Sequence, residues 1–260
     1  MQNDKIHFFS ETLDSTFYDG RVLEMLYQDG TETNGLPGRR VGFQVGITAN
    51  PDRDYLTAWG YDAQGRWESV SVPVLPFFEA TYSYETDSHL LSGMTFSAAS
   101  TPFAKVDYAY EPNRNVKTTV HNQRNAGTGW EDVSRYDYRY DALARRTDVV
   151  NTGPAFAEDA LSLWDYNTRS EVVGQNRHLG TDPDSPGTSV PAQDFAYAYD
   201  NIGNRLIATE DTETTEYFAN ELNQYTQLGV SAPWREPLYD LDGNMTFTVW
   251  RRKSKTPMKI

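Results

Sequence analysis

Cysteine is absent from the 260 residues, so disulfides, zinc–thiolate centres and iron–sulfur clusters are excluded. The absence does not decide the redox compartment. Long apolar runs are missing too: no window approaches the roughly 18 apolar residues of a membrane-spanning helix. The N-terminal stretch MQNDKIHFFSETLDSTFYDG holds a single lysine and no apolar core, and does not read as a signal peptide. Positive charge is scarce, with 23 Lys+Arg against 37 Asp+Glu and a net charge of −14. That balance repels nucleic-acid phosphates and anionic lipid and speaks against both as partners. Helical patterning is thin. Residues 157–164 (AEDALSLW), after the break at Asn151-Thr-Gly-Pro, suggest two helical turns, and Leu23–Tyr27 is ambiguous.

Motifs that carry chemistry are also lacking. There is no phosphate loop, no Gly-x-Ser-x-Gly elbow and no His-Glu-x-x-His. The histidines His7, His89, His121 and His178 stand in unlike contexts. No pair among the many carboxylates is marked out as an acid and a base. No catalytic residue, cofactor or metal is therefore assigned, and the chain is expected not to be an enzyme. The best candidate for a calcium loop is Asp240-Leu-Asp242-Gly-Asn244, which reads more readily as a plain turn.

Aromatic residues are plentiful: 17 Tyr, 12 Phe and 6 Trp, in a chain only 38% hydrophobic. Disordered chains are poor in rings, and tyrosine favours half-buried strands. An ordered, tyrosine-rich β protein is the expectation, long enough for one large β domain or two small ones.

The rings recur in a pattern. "AYAYDNIGNRLIATED" (196–211) sets two tyrosines before Asp-x-x-Gly and a second short strand. Similar units anchor at Tyr61, Tyr84, Tyr110, Tyr140, Tyr166, Tyr199, Ala219 and Tyr239, with steps of 23, 26, 30, 26, 33, 20 and 20 residues. A period in this range signals a repeat architecture. Each unit makes sense as a β-hairpin. The first strand alternates rings with small or polar residues. Asp starts the turn by accepting a backbone N–H two residues on, and Gly supplies φ > 0. Arginine after the turn can lie on a tyrosine ring across the strand pair. Tyr84-Glu-Thr-Asp and Tyr110-Glu-Pro-Asn lack both Asp and Gly, and Ala144 replaces Gly. Those turns are expected to use other chemistry, with Asn113 or Asn115 in the left-handed region. Residues 180–193 (GTDPDSPGTSVPAQ) read as a loop.

These residues resemble the YD-repeat, or RHS-repeat (rearrangement hotspot), family. Tyr197-Ala-Tyr199-Asp200-Asn-Ile-Gly203-Asn204 matches its Y-x-Y-D-x-x-G-[NR] signature, and Tyr239-Asp-Leu-Asp-Gly-Asn is similar to the closing repeats of bacterial members. The resemblance covers about 58–248, and the sequence divides into a degenerate N-terminal repeat region (1–57), the repeat array (58–249) and a basic tail (250–260). It implies an all-β fold of consecutive antiparallel hairpins forming a curved, shell-like sheet. Relatives include bacterial polymorphic toxins, the cocoon of insecticidal ABC toxins, and teneurins. A structural role is implied: a shell segment that encapsulates a toxin domain, or a secreted or cell-surface bacterial scaffold. Partners would be an enclosed toxin domain or an adjoining shell segment. In the family a self-cleaving core with an Asp-Pro motif follows the repeats. Asp182-Pro183 lies inside the array and is not assigned that role; the sequence reads as stopping before the core. The alternative is a carbohydrate-binding or adhesion module, with Trp59, Tyr61 and Trp67 as the rings that would stack on a glycan.

Overall fold

A computed structural model of the chain describes residues 4–6, 21–27, 38–47, 55–72, 77–229 and 234–251. The described residues hold 19 strands and no helix. In chain order these are β1 (Asp4–Ile6), β2 (Arg21–Tyr27), β3 (Arg40–Ile47), β4 (Tyr55–Tyr61), β5 (Trp67–Val72), β6 (Phe78–Tyr84), β7 (Leu91–Ala98), β8 (Thr101–Tyr110), β9 (Lys117–Asn125) and β10 (Trp130–Tyr140). There follow β11 (Arg146–Thr152), β12 (Ala160–Tyr166), β13 (Val172–Leu179), β14 (Ser189–Tyr199), β15 (Arg205–Glu210), β16 (Glu213–Ala219), β17 (Tyr225–Gly229), β18 (Trp234–Tyr239) and β19 (Met245–Arg251). They fall into two compact units, residues 1–135 and 136–260, divided within β10. In each, strands consecutive in sequence pair antiparallel. Consecutive antiparallel hairpins are thus the architecture.

The anchor tyrosine has a fixed place in this ladder. The register slips by one residue just before Tyr27, Tyr61, Tyr84, Tyr110, Tyr166, Tyr199 and Tyr239, and before Ala219. Each of these eight hairpins therefore carries a β-bulge at its turn end. A bulge bends its strand and adds right-handed twist. Tyr27, facing Arg40, shows that the repeat extends into the stretch before residue 58. The loop after it lies largely outside the described residues.

In the first unit the pleat separates two kinds of side chain. Trp59, Val70, Ala80, Phe96 and Ala104 lie side by side in successive strands, and so do Tyr82, Met94 and Val106. Rows one residue away point to the other face and read Ser69, Thr81, Thr95, Lys105, Gln123 and Ser83, Gly93, Asp107, His121. One face is aromatic and aliphatic, the other polar.

In the second unit burial concentrates on β11 and β12, at Asp148, Val149, Val150, Asn151, Ala160, Leu161 and Ser162. Residues 160–166 are therefore a strand, not the helix that the 157–164 pattern suggests. Leu161 sits opposite both Val150 and His178; pairing on both sides overrides a short amphipathic pattern. The loop expected over 180–193 spans only 180–188, and β14 begins at Ser189. Pro191 is tolerated beside the irregularity at Ala192, whose φ is 60°. This loop is tied over the face carrying Leu161. Arg139 holds the buried Asp148 through Nε (2.9 and 3.0 Å) and Asp184 of the loop through Nη1 (3.0 Å), while His178 Nδ1 meets Gly187 O at 3.0 Å.

Candidate functional site: the hairpin turns and the aromatic stripe

Six turns share one geometry, starting at Asp62, Asp141, Asn167, Asp200, Asn220 and Asp240. The backbone N–H of the first residue donates to the carbonyl of the fifth, and that of the fourth donates back to the first. The first side chain's Oδ1 accepts the N–H groups of the third and fifth residues at 2.8–3.0 Å. The fourth residue has positive φ: Gly65 80°, Ala144 60°, Ser170 64°, Gly203 93°, Asn223 60°, Gly243 83°. This is the three-residue hairpin loop, a type I turn closed by a left-handed residue.

First and fifth side chains are matched donor to acceptor. Aspartate meets a donor in Asp62–Arg66 (2.7 Å), Asp141–Arg145 (2.6 Å), Asp200–Asn204 (2.9 Å) and Asp240–Asn244 (3.1 Å). Asparagine meets an acceptor in Asn167–Glu171 (2.5 Å) and Asn220–Gln224 (3.4 Å). These bonds set the electrostatics. The Asp240 carboxyl is held below its ordinary value by the Asn244 side chain and by backbone N–H groups, and Asp141 by the Arg145 N–H and then its guanidinium. At Asp62 and Asp200 desolvation pushes upward, but donors from Arg66 and from Asn204 and its neighbours outweigh it. The calcium reading of Asp240 meets a competing use: both of its oxygens accept hydrogen bonds from its own turn. Among the described residues no cluster of metal-ligating side chains forms.

The departures resolve differently from expectation. Ala144 does not call for other chemistry; it takes the shared turn and bears a left-handed φ. The turns after Tyr84 and Tyr110 are one residue longer, closing from Glu85 N to Leu90 O and from Glu111 N to Val116 O. Neither Asn113 nor Asn115 has positive φ; in the first of the two turns Asp87 does, at 55°. In the second, the extra residue relaxes the turn without a left-handed position, and Arg114 clasps Glu111 at 2.5 and 2.7 Å.

Neighbouring hairpins are tied through the anchor ring. The hydroxyl of Tyr61, Tyr84, Tyr110, Tyr166, Tyr199 and Tyr239 donates to the carbonyl of Arg40, Trp67, Leu91, Arg146, Val172 and Tyr225 in turn, at 2.8–3.2 Å. Each acceptor opens the return strand of the preceding hairpin, and Arg40, Trp67, Leu91, Val172 and Tyr225 stand opposite that hairpin's own bulge. Where Ala219 replaces tyrosine, Tyr225 Oη instead accepts the Arg205 N–H at 3.0 Å. Arginine on the fifth position reinforces the tie. Arg66 lies 4.1 Å over Tyr84, and Arg145 4.7 Å over Tyr166. Their Nη1 atoms reach the carbonyls of Ser88 and Asn167 in the following turn. The cross-strand stacking expected within a hairpin also occurs, at Arg146–Tyr138 and Arg205–Tyr197. Stacking on the next hairpin was not legible, because sequence does not say which strand lies alongside.

Of the three rings singled out for glycans, Trp59 and Trp67 come together, stacked at 6.1 Å and 13°. Phe43 and Tyr82 meet them edge-on at 6.1 and 6.2 Å, giving a stripe across β3 to β6 in which Trp67 stays 46% exposed. Tyr61 stands apart: Arg39 covers its ring at 4.7 Å and its hydroxyl is bonded to Arg40. The three described histidines do not meet. His121 pairs with Asp132 at 2.7 Å, His178 with the loop, and His89 lines an open groove with Gln64, Arg66, Asp87 and Ser88. His7 lies outside the described residues.

No family model matches the chain, and no curated protein matches it. Among solved structures, the crystal structures of TcdB2-TccC3-TEV and TcdB2-TccC3-Cdc42 are similar over 88% of this chain at 13% identity, with TM-scores of 0.45 and 0.46. The chain spans 14% of each. A porin-like protein from Bacteroides uniformis is similar over 88% of this chain and 89% of its own, at 13% identity and a TM-score of 0.32. Scores below 0.5 do not amount to a shared fold, so the functional reading rests on the repeat geometry.

Proposed function

We propose that the chain is a structural segment of a YD/RHS-type repeat shell, which encloses a toxin domain or serves as a secreted or surface scaffold of a bacterium. The supporting observation is the tie repeated in six places, an anchor hydroxyl bonded to the carbonyl that opens the preceding return strand. It fastens six of the hairpins each to the one before and so builds a wall. The partners are then an enclosed domain or an adjoining shell segment. The test is to co-express the chain with the reading frame that follows it in its genome and digest with trypsin. A wall predicts that the following domain survives several-fold longer than it does alone; equal rates of cutting overturn the reading.

The Trp59–Trp67 stack supports a second reading, glycan contact on the exposed stripe. A pyranose on Trp67 would shift tryptophan emission in a saturable way across a panel of surface glycans. Flat titrations together with cargo protection leave the shell alone; saturation that Trp67→Ala abolishes supports the stripe.

A further inference from the structure

Exposed aliphatic side chains collect at the turn tips of the second unit. Five of the six shared turns lie in that unit. Their tips carry Leu143, Ile202, Leu222 and Leu241, which are 69, 71, 76 and 107% exposed. The first three take the third turn position and Leu241 the second. The turn itself does not ask for them. Its geometry is made by the first, fourth and fifth residues, and the third supplies only its N–H. Gln64 and Arg169 hold the third position elsewhere and close the same turn. The tips form a row, because each turn touches the next. Arg145 Nη1 reaches Asn167 O at 3.1 Å, Arg169 Nη2 reaches Asp200 O, and Asn204 Nδ2 reaches Asn223 Oδ1 at 3.3 Å. A Cβ placed on Gly243 would stand 3.4 Å from Gln224 Nε2. A hairpin is two strands wide, so successive tips lie about 10 Å apart. Leu143, Ile202 and Leu222 are exposed although the next turn lies alongside, so neighbouring hairpins do not cover them.

Large aliphatic side chains exposed in a group mark a contact surface, and three observations select what fits this one. The first is charge. The five turns carry six acids, Asp141, Glu171, Asp200, Glu221, Asp240 and Asp242, against two bases, Arg145 and Arg169. That balance suits a cationic partner and repels anionic lipid and a second copy of this chain. The second is the backbone. In every one of these turns the N–H groups of the first, third, fourth and fifth residues are already bonded within the turn. A strand would find little main chain to pair with, whereas a helix bonds its own backbone and needs only side chains. The third is spacing: seven helical residues rise about 10.5 Å, close to the step between tips. We infer that the row of Ile202, Leu222 and Leu241 is a docking surface for a cationic amphipathic helix of a partner protein. Its large aliphatic residues, recurring at every seventh position, sit between the tips, and its Lys and Arg flank them toward Glu221 and Asp242. This is the helix counterpart of strand addition, read out by side chains alone. It goes beyond the shell reading and involves neither cargo nor a sheet edge.

The probe is a fluorescein-labelled peptide of three copies of Leu-Lys-Lys-Ala-Ile-Lys-Lys, titrated into the full chain. A control peptide has the same composition with its apolar residues spread around the helix. Saturable binding is expected by fluorescence anisotropy, with the peptide turning helical by circular dichroism as it binds. Leu222→Ser and Ile202→Ser should each weaken binding about tenfold, the worth of one buried aliphatic side chain. Both side chains are exposed, so both variants should melt as the wild type does. Phe78→Ser, at an exposed ring of the first unit, should bind as the wild type does. Equal binding of the control peptide would reduce the effect to charge and overturn the site. So would a bound peptide that stays unfolded, a loss in Phe78→Ser as large as in Leu222→Ser, or no loss in Leu222→Ser and Ile202→Ser. Co-sedimentation with phosphatidylcholine vesicles that Leu222→Ser abolishes, without peptide binding, would make the row a membrane contact and overturn the helix.

Discussion

At the scale of single residues, the matched pair on the first and fifth turn positions decides which substitutions a hairpin tolerates. Asn204→Glu would set two carboxylates face to face at Asp200; adding Asp200→Asn restores the pairing seen at Asn167–Glu171. The double-mutant cycle should show a favourable coupling in urea denaturation, whereas additivity would deny the match. The fourth position sorts by backbone. Ala144 bears φ 60°, a conformation that costs an L-residue about 1–2 kcal/mol. Ala144→Gly should therefore raise the melting temperature by about 2–4 °C. Gly203→Val, at φ 93°, should destabilise by roughly 1–3 kcal/mol. Acid acts on the same groups. Asp62, Asp141, Asp200 and Asp240 titrate below their ordinary 3.8 when folded. Their stabilisation is complete above that pH and is lost as pH falls through the depressed values. The urea midpoint should be level from pH 8 to 5 and fall below about pH 4; a midpoint that rises in acid would contradict the assignment. The Asp-x-x-Gly turns were legible because their chemistry is local. The left-handed Ala144 was not, since a sequence shows the absence of glycine and not whether the turn forms regardless.

At the scale of the hairpin, every anchor residue read from the sequence stands at the end of a first strand, because ring alternation before a turn signal is a short-range pattern. Where that pattern is silent, long-range pairing decides. Residues 157–164 carry a plausible amphipathic period, yet Leu161 is fully buried between Val150 and His178. Leu161→Ala should cost about 2–5 kcal/mol, measured as a drop in urea midpoint; a loss under 1 kcal/mol would mean the loop over this face is not a packed cover. The Arg139–Asp148–Asp184 network lay beyond sequence reasoning for the same reason. Only the hairpin register brings Arg139 to Asp148, and nothing local to residues 180–188 announces that they fold back.

At the scale of the molecule, the exposed aromatic stripe of the first unit and the charge of −14 oppose one another. Acidic repulsion keeps copies apart while exposed rings invite contact. Light scattering at tens of micromolar should show association rising with salt as the repulsion is screened. The shell reading came from the repeat and the resemblance it carries, but its mechanical basis did not. A sequence displays that tyrosines recur; it does not display that each hydroxyl crosses to the preceding hairpin. That crossing is tested most directly by native-state hydrogen exchange of Tyr199→Phe, which removes the bond to Val172 O and leaves the ring. A wall of coupled hairpins predicts faster exchange at the turn ends of both β12–β13 and β14–β15. Acceleration confined to β14–β15, or none, would contradict it.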